Sequence, residues 1–342
     1  MLDKALFATK INNFVAGKLQ GKDASVDRNV YSSQDPYFNG LGKFIRNPSC
    51  WLNGVKNISC FSPAQMSGAS WWQRGGTLIT RRHVLFAKHF TTSVITGGTP
   101  LIFVGDDNTV IRRNIIQYAS VPWTDVSVAL LDSEVPSNIQ IAKVLPVDYT
   151  DYFVADSTTP VYCVALDQQE KVIVKMSTGN PGYIVSYNGQ SITYKQFSVN
   201  ESAAGHQFQS FNETIIVGDS GNPVFFIIDN ELVVTTTWWT STAGPFISSA
   251  PVYDATNDCI EELSPNQGYA LTDVDLTAAY ENMQKLYFNP VLDPSEGTLG
   301  NWFQDKGFNI PAVGLPSSSD IPVFPWHGRM SRIVGGSGLI LD

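Results

Sequence analysis

Short apolar runs set the pattern of this chain. Leu101–Val104, Val161–Leu166, Lys171–Met176, Tyr183–Tyr187 and Val224–Ile228 are rich in Val, Ile, Tyr and Phe. Gly, Asn, Asp, Ser and Pro separate such runs along the chain. β-branched and aromatic residues suit a pleated, half-buried surface, and the residues between them suit turns. Each run is therefore expected as a strand, and strands at this spacing suggest barrels or a sandwich. One stretch departs from the pattern. Leu2, Leu6, Phe7, Ile11, Phe14, Val15 and Leu19 recur at helical spacing, with Lys4, Lys10, Lys18 and Lys22 interspersed. This predicts an amphipathic helix within Met1–Asp23. A helix packed on the protein's own surface is its plain reading; a docking helix for a partner is the alternative, ahead of a membrane-surface helix. After Phe288 the chain turns Gly-, Pro- and Ser-rich but keeps Trp302, Phe303, Phe324 and Trp326. Aromatics tend to bury themselves, so residues 289–342 are expected as an extended arm that wraps the body or engages a partner.

Composition agrees with a β-rich globular protein. Of 342 residues, 43% are hydrophobic and 15% charged, with 27 Gly and 19 Pro. The length suits one large or two modest domains. A net charge of −9 and a pI near 4.9 argue against nucleic-acid binding, which needs clustered Lys and Arg. No apolar run approaches membrane-spanning length, and no period of about 20–50 residues repeats. Met1–Asp23 lacks the unbroken apolar core of a secretory signal, so localisation stays open. Cys50 and Cys60 are spaced to close a small loop, whereas Cys163, inside an apolar run, reads as a buried thiol.

The candidate chemistry centres on Gly218-Asp219-Ser220-Gly221-Asn222-Pro223. Gly, Asp and Ser are ordinary turn residues, so a plain turn is the first reading. A serine on such a turn also has its hydroxyl exposed, and backbone N–H groups of the turn can converge on one point. That suits a nucleophile beside an oxyanion hole. Such a serine needs a base, and the chain has four histidines: His83, His89, His206 and His327.

Gly75-Gly76-Thr77-Leu78-Ile79 followed by Val84-Leu85-Phe86-Ala87-Lys88-His89 resembles the segment of the trypsin-like (chymotrypsin-fold) serine proteases that ends in the general base. The resemblance implies that role for His89 and none for His83, which falls in the turn between the two strands. Asp125-Val126-Ser127-Val128-Ala129-Leu130-Leu131 resembles the strand that the triad acid opens. Asp106 and Asp107, before Asn108, read instead as a hairpin turn. His89, Asp125, Ser220 is the chymotrypsin-type order. Leu232 to Trp239 resembles the strand after the nucleophile, and Gly268–Val274 with Leu276–Tyr287 resembles the closing strand and C-terminal helix.

The fold implied by this resemblance is all-β: two six-stranded antiparallel barrels with a C-terminal helix and N- and C-terminal extensions. The expected divisions are an extension over 1–59, a protease domain over 60–288 and a C-terminal arm over 289–342. Within the protease domain the barrels would cover about 60–150 and 151–275, and the helix 276–287. The implied activity is serine endopeptidase action on a protein or peptide substrate, with the oxyanion held by the N–H groups of Gly218 and Ser220. No metal or cofactor is called for. Thr214, Thr237, Trp238 and Trp239 match the substrate pocket. Thr214 stands where an acid would select Arg or Lys, and Trp239 where open pockets have glycine, so Arg or Lys preference is not expected.

The chain also departs from the family. Asp219 would pair there with a freed N-terminal ammonium, and an Ile333-Val334-Gly335-Gly336 stretch like the activation junction falls at the wrong end. Phe86 replaces a hydroxyl residue that supports the triad acid. The N-terminal helix, the C-terminal arm, the lack of a signal-like segment and the bulky Trp239 support the rival expectation, a protease-fold structural or assembly protein that self-associates or binds a partner through its terminal extensions.

Overall fold

The computed structural model describes residues 4–40, 42–67, 70–72, 75–93, 99–155, 159–179, 182–187, 190–200, 208–240, 242–287, 330–333 and 339–341. Two compact units divide the chain, Met1–Tyr280 and Glu281–Asp342.

Helix α1 (Lys4–Leu19) buries Phe7, Ile11, Val15 and Leu19 of the residues that recur at helical spacing, together with Ala8 and Lys10, and leaves Leu6 and Phe14 half-buried. It packs against strands β11 (Val161–Leu166) and β15 (Pro223–Ile228) of the same unit. Asn12 reinforces the contact: its amide donates to the Pro160 carbonyl at 2.9 Å, and its oxygen accepts from the Tyr162 N–H at 2.7 Å. The apolar face of α1 is thus spent inside the unit. A short helix α2 (Ala24–Asp27), N-capped by the Asp23 carboxylate, then leads to the antiparallel pair β1 (Tyr31–Asp35) and β2 (Lys43–Arg46).

The body is mostly β-sheet. A seven-stranded sheet has the order β4-β3-β7-β8-β9-β6-β5. Its members are β3 (Ala64–Ser67), β4 (Ser70–Trp72), β5 (Thr77–Leu78), β6 (His83–Ala87), β7 (Thr99–Val104), β8 (Val110–Ser120) and β9 (Val126–Leu131). Phe61, just before β3, forms an antiparallel bridge to Thr77 of β5, so the chain entering β3 meets the opposite edge of the path. The Asp106–Asn108 stretch turns β7 into β8, as its composition predicts, with Asn108 at φ +66°.

The second sheet has eight strands, ordered β10-β16-β15-β11-β12-β14-β13, with β17 paired to β14. It adds β10 (Lys143–Val144), β12 (Val172–Gly179), β13 (Gly182–Tyr187), β14 (Gln190–Asn200), β16 (Glu231–Thr237) and β17 (Ala243–Pro245). Beyond β17, the Ile247 N–H donates to Thr235 of β16 at 2.9 Å. The hydrogen-bonded paths therefore run through seven and eight strands. Short pieces such as β4 and β10 extend the paths at their ends.

Helix α3 (Ala250–Leu263) packs on β8, β9 and β14 through Val252, Ala255, Cys259, Ile260 and Leu263. Residues 268–274 make no strand; only an isolated bridge from Asp273 to Val144 stands where a closing strand is expected. Helix α4 (Leu276–Tyr287) follows, with the expected bounds.

All four cysteines are buried free thiols, so the Cys50–Cys60 loop closure does not occur. Burial pushes the thiols of Cys50 and Cys259 up to about 11. Among the described residues no helix is long and apolar enough to cross a membrane. The arm expected over 289–342 lies outside the described residues except for the hairpin of β18 (Met330–Ile333) and β19 (Leu339–Leu341).

Candidate active site

Strands β6 and β9 run antiparallel with Ala87 opposite Val126. Whatever follows β6 therefore lies beside whatever precedes β9. The ladder continues one step further, the Lys88 N–H donating to the Asp125 carbonyl at 2.9 Å. His89 lies in the short 3₁₀ turn Lys88–Ser93 and engages both oxygens of the Asp125 carboxylate. Its backbone N–H donates to Oδ1 at 3.0 Å, and Nδ1 meets Oδ2 at 2.5 Å. An ionised carboxylate only accepts, so Nδ1 carries the proton and Nε2 of a neutral ring is left as a base. The Phe90 ring packs edge-on against the imidazole with centroids 4.3 Å apart. The loop that delivers Asp125 is closed on itself. Thr124 Oγ1 donates to the Val121 carbonyl and accepts from the Val126 N–H, while the Val121 N–H donates to Val126.

The Ser220 turn is built just before β15. Gly218 and Gly221 hold φ values of +108° and +83°, a region where side chains other than glycine are strained. A Cβ on Gly221 would stand 3.0 Å from the Ala87 nitrogen and 3.2 Å from the Gly75 carbonyl. The turn is thus pressed against the end of β6, two residues before His89. Trp238, at the end of β16, closes the other side: its carbonyl accepts from Gly221 and its N–H donates to Asn222.

Within the turn the backbone donors alternate. The Asp219 N–H donates to Ile216 at 3.1 Å, whereas among the described residues the N–H groups of Gly218 and Ser220 have no acceptor. Ser220 is half-buried and its hydroxyl forms no hydrogen bond among the described residues, to His89 included.

Asp219 is fully buried, and backbone donors hold both its oxygens. The Gln168 N–H donates to Oδ1 at 2.8 Å and the Ile216 N–H to Oδ2 at 2.7 Å. Burial raises its pKa above the usual carboxylate range, with these two donors opposing the rise. The other residues singled out from the sequence are spread around the turn. Thr214 is exposed; Thr237 and Trp238 are buried at the end of β16; Trp239 is half-buried. Ile216 and Val217, directly ahead of the turn, are exposed apolar residues.

His83 does not lie in a turn. It opens β6, is fully buried, and bridges Thr80 Oγ1 at Nδ1 (2.8 Å) and Ser264 Oγ at Nε2 (3.1 Å). It has no acid partner and ties β6 to the C-terminal end of α3. Sequence reasoning also missed Gln168, which supports the turn from 51 positions away. Its place after an apolar run marks a turn, but nothing local marks its long-range contact. Among the described residues no group of three or more His, Cys, Asp or Glu side chains is placed to hold a metal ion.

No protein-family model and no curated protein matches the chain. Among solved structures it is similar to the crystal structure of Deg5, with 13% identity and a TM-score of 0.39 over 57% of this chain and 87% of that one. A TM-score that low decides neither fold nor chemistry.

Proposed function

We propose that this protein is a serine endopeptidase of the trypsin-like class. The observation that carries the reading is the double hold of His89 on Asp125 at one end of the β6–β9 pair, with the Ser220 turn packed on Ala87. In this reading Nε2 of His89 takes the proton from Ser220 Oγ as the oxygen attacks a peptide carbonyl carbon. The carbonyl oxygen gains charge and accepts from the N–H groups of Gly218 and Ser220, whose lack of another acceptor suits the role. The tetrahedral intermediate collapses, the C–N bond breaks, and His89 returns the proton to the leaving amine. Water then attacks the acyl-enzyme with His89 again as base. Asp125 keeps the ring in the Nδ1–H tautomer and steadies the imidazolium.

The fold belongs to the same reading: two closed six-stranded barrels, at about 60–150 and 151–275, with β4, β10 and β13 outside the rings. The Phe61–Thr77 bridge and the Ile247-to-Thr235 hydrogen bond support closure of each. Thr214, Thr237, Trp238 and Trp239 are the proposed pocket residues. No acid stands at Thr214, and Ile216 and Val217 offer an apolar rim. Both favour an uncharged side chain over Arg or Lys beside the scissile bond.

One observation favours a non-catalytic protease-fold component instead: the Ser220 hydroxyl is not bonded to His89. Catalytic hydrogen bonds are often long in unliganded sites and close only with substrate, so the peptidase reading stands. Hydrolysis of a denatured protein separates the two. Wild type is expected to cleave it, Ser220→Ala to lose all but background, and Asp125→Asn to fall about 10⁴-fold in kcat because the imidazole tautomer is wrong. Cleavage that survives Ser220→Ala overturns the assignment.

A further inference from the structure

The segment that carries the nucleophile has an anchor far from the reacting groups. Glu213 lies seven positions before Ser220 and is gripped from three directions. Arg28, at the end of α2, donates from Nη1 to Oε2 at 2.8 Å, and Lys171 reaches Oε1 at 3.4 Å. Lys175 of β12, a buried lysine, donates from Nζ to the Glu213 carbonyl at 2.5 Å. An isolated surface ion pair holds little. Here both the side chain and the backbone of one residue are held, and the cations come from different elements.

Those elements are themselves joined. Residues 28–30 run along the turn between β11 and β12. The Arg28 carbonyl accepts from Val172 at 2.8 Å, Asn29 bridges Lys171, and the Val30 N–H donates to Glu170 at 3.0 Å. The same turn carries Gln168. Its backbone N–H fixes Asp219, its side-chain amide donates to the Val217 carbonyl at 3.3 Å, and its Oε1 lies 2.5 Å from where a Cβ on Gly218 would stand. The N-terminal extension, the β11–β12 turn and residues 213–219 thus form one connected body ending at Ser220.

We propose that the extension is a built-in clamp on the nucleophile segment. Arg28, acting through Glu213, and Gln168, acting through Asp219 and Val217, are positioning residues. They hold residues 213–220 so that the N–H groups of Gly218 and Ser220 converge while the chain is uncut. The inference deepens the serine-peptidase reading and rests on it for the purpose of the clamp, though not for its existence.

The test uses the full chain and two readouts. Arg28→Ala and Glu213→Gln are each expected to speed hydrogen exchange of amides 214–222 about tenfold or more, with far-UV circular dichroism unchanged. They are expected to slow the reaction of Ser220 with a fluorophosphonate by at least about tenfold, since small misplacements at a reacting centre are costly. Arg28→Lys should recover part of both, and the double variant should be no worse than Glu213→Gln alone, because both changes remove the same Arg28–Glu213 contact. If Arg28→Ala does not fold, Glu213→Gln, which keeps the side chain's size, carries the test. Exchange of 214–222 that stays at the wild-type rate overturns the clamp, as do losses that simply add. A wild type that protects these amides, loosens in the variants and never reacts with the probe upholds the clamp and overturns the peptidase reading.

Discussion

Two residues illustrate how burial decides chemistry in this molecule. His83 and His89 sit six positions apart on one strand and its extension, yet they face opposite conditions. His89 is partly exposed, with Asp125 on Nδ1. His83 is sealed between Thr80 and Ser264, and burial, aided by the Arg82 charge, lowers its pKa to about 4. The unfolded chain takes up a proton at His83 below about pH 6.5, the ordinary imidazole value, while the folded chain stays neutral there until about pH 4. Stability is therefore expected to fall as pH drops through that window, by roughly 2–3 kcal/mol from this residue. Urea midpoints of wild type and His83→Gln between pH 7 and pH 4 check this; the difference between the two should shrink by that amount as pH falls. At Gly218 the backbone and its neighbour act together. An alanine there would be strained at φ +108° and would push on the Gln168 amide. Gly218→Ala is expected to cost about 1–3 kcal/mol in stability and, if its N–H serves as the proposed oxyanion donor, proportionally more in turnover. Thermal melts beside kcat measurements compare the two losses.

At the scale of elements, what could be read in the sequence depended on how local the cause is. Val161–Leu166 appears with the expected bounds, because its apolar run and the turn residues beside it are local, and Leu276–Tyr287 does so where the family resemblance implied a helix. Helix α3 was not foreseen, although Val252, Ala255, Thr256, Cys259, Ile260 and Leu263 share one face. Its Ser-Ala-Pro opening reads as a turn in a chain otherwise full of strands. The pairing of His89 with Asp125 follows from strand register, to which the sequence motifs already pointed. The partners of Asp219 do not, because Gln168 meets it across the fold, and two backbone N–H groups occupy the place expected of an ammonium. Helix α1 makes its own prediction. Ile11 is fully buried in it, and the helix packs on β11 and β15. Ile11→Ala is expected to lower stability by about 2–5 kcal/mol, read as a drop in urea midpoint at unchanged slope. A near-neutral effect would mean that the helix is not part of the cooperative body.

In the Met1–Tyr280 unit, two sheets together place His89, Asp125 and the Ser220 turn. The seven-stranded sheet supplies His89 and Asp125 from adjacent strand ends, and the eight-stranded sheet supplies the Ser220 turn, seated between β6 and Trp238. Through Arg28, residues 28–30 are tied to the eight-stranded sheet and to the segment that leads to Ser220. Reaction of the intact protein with a fluorophosphonate, with the adduct located by mass spectrometry, tests this most directly. The account predicts one adduct, on Ser220, lost in Ser220→Ala and strongly slowed in His89→Ala. A folded protein that takes up no probe, or takes it up at another residue, would contradict it.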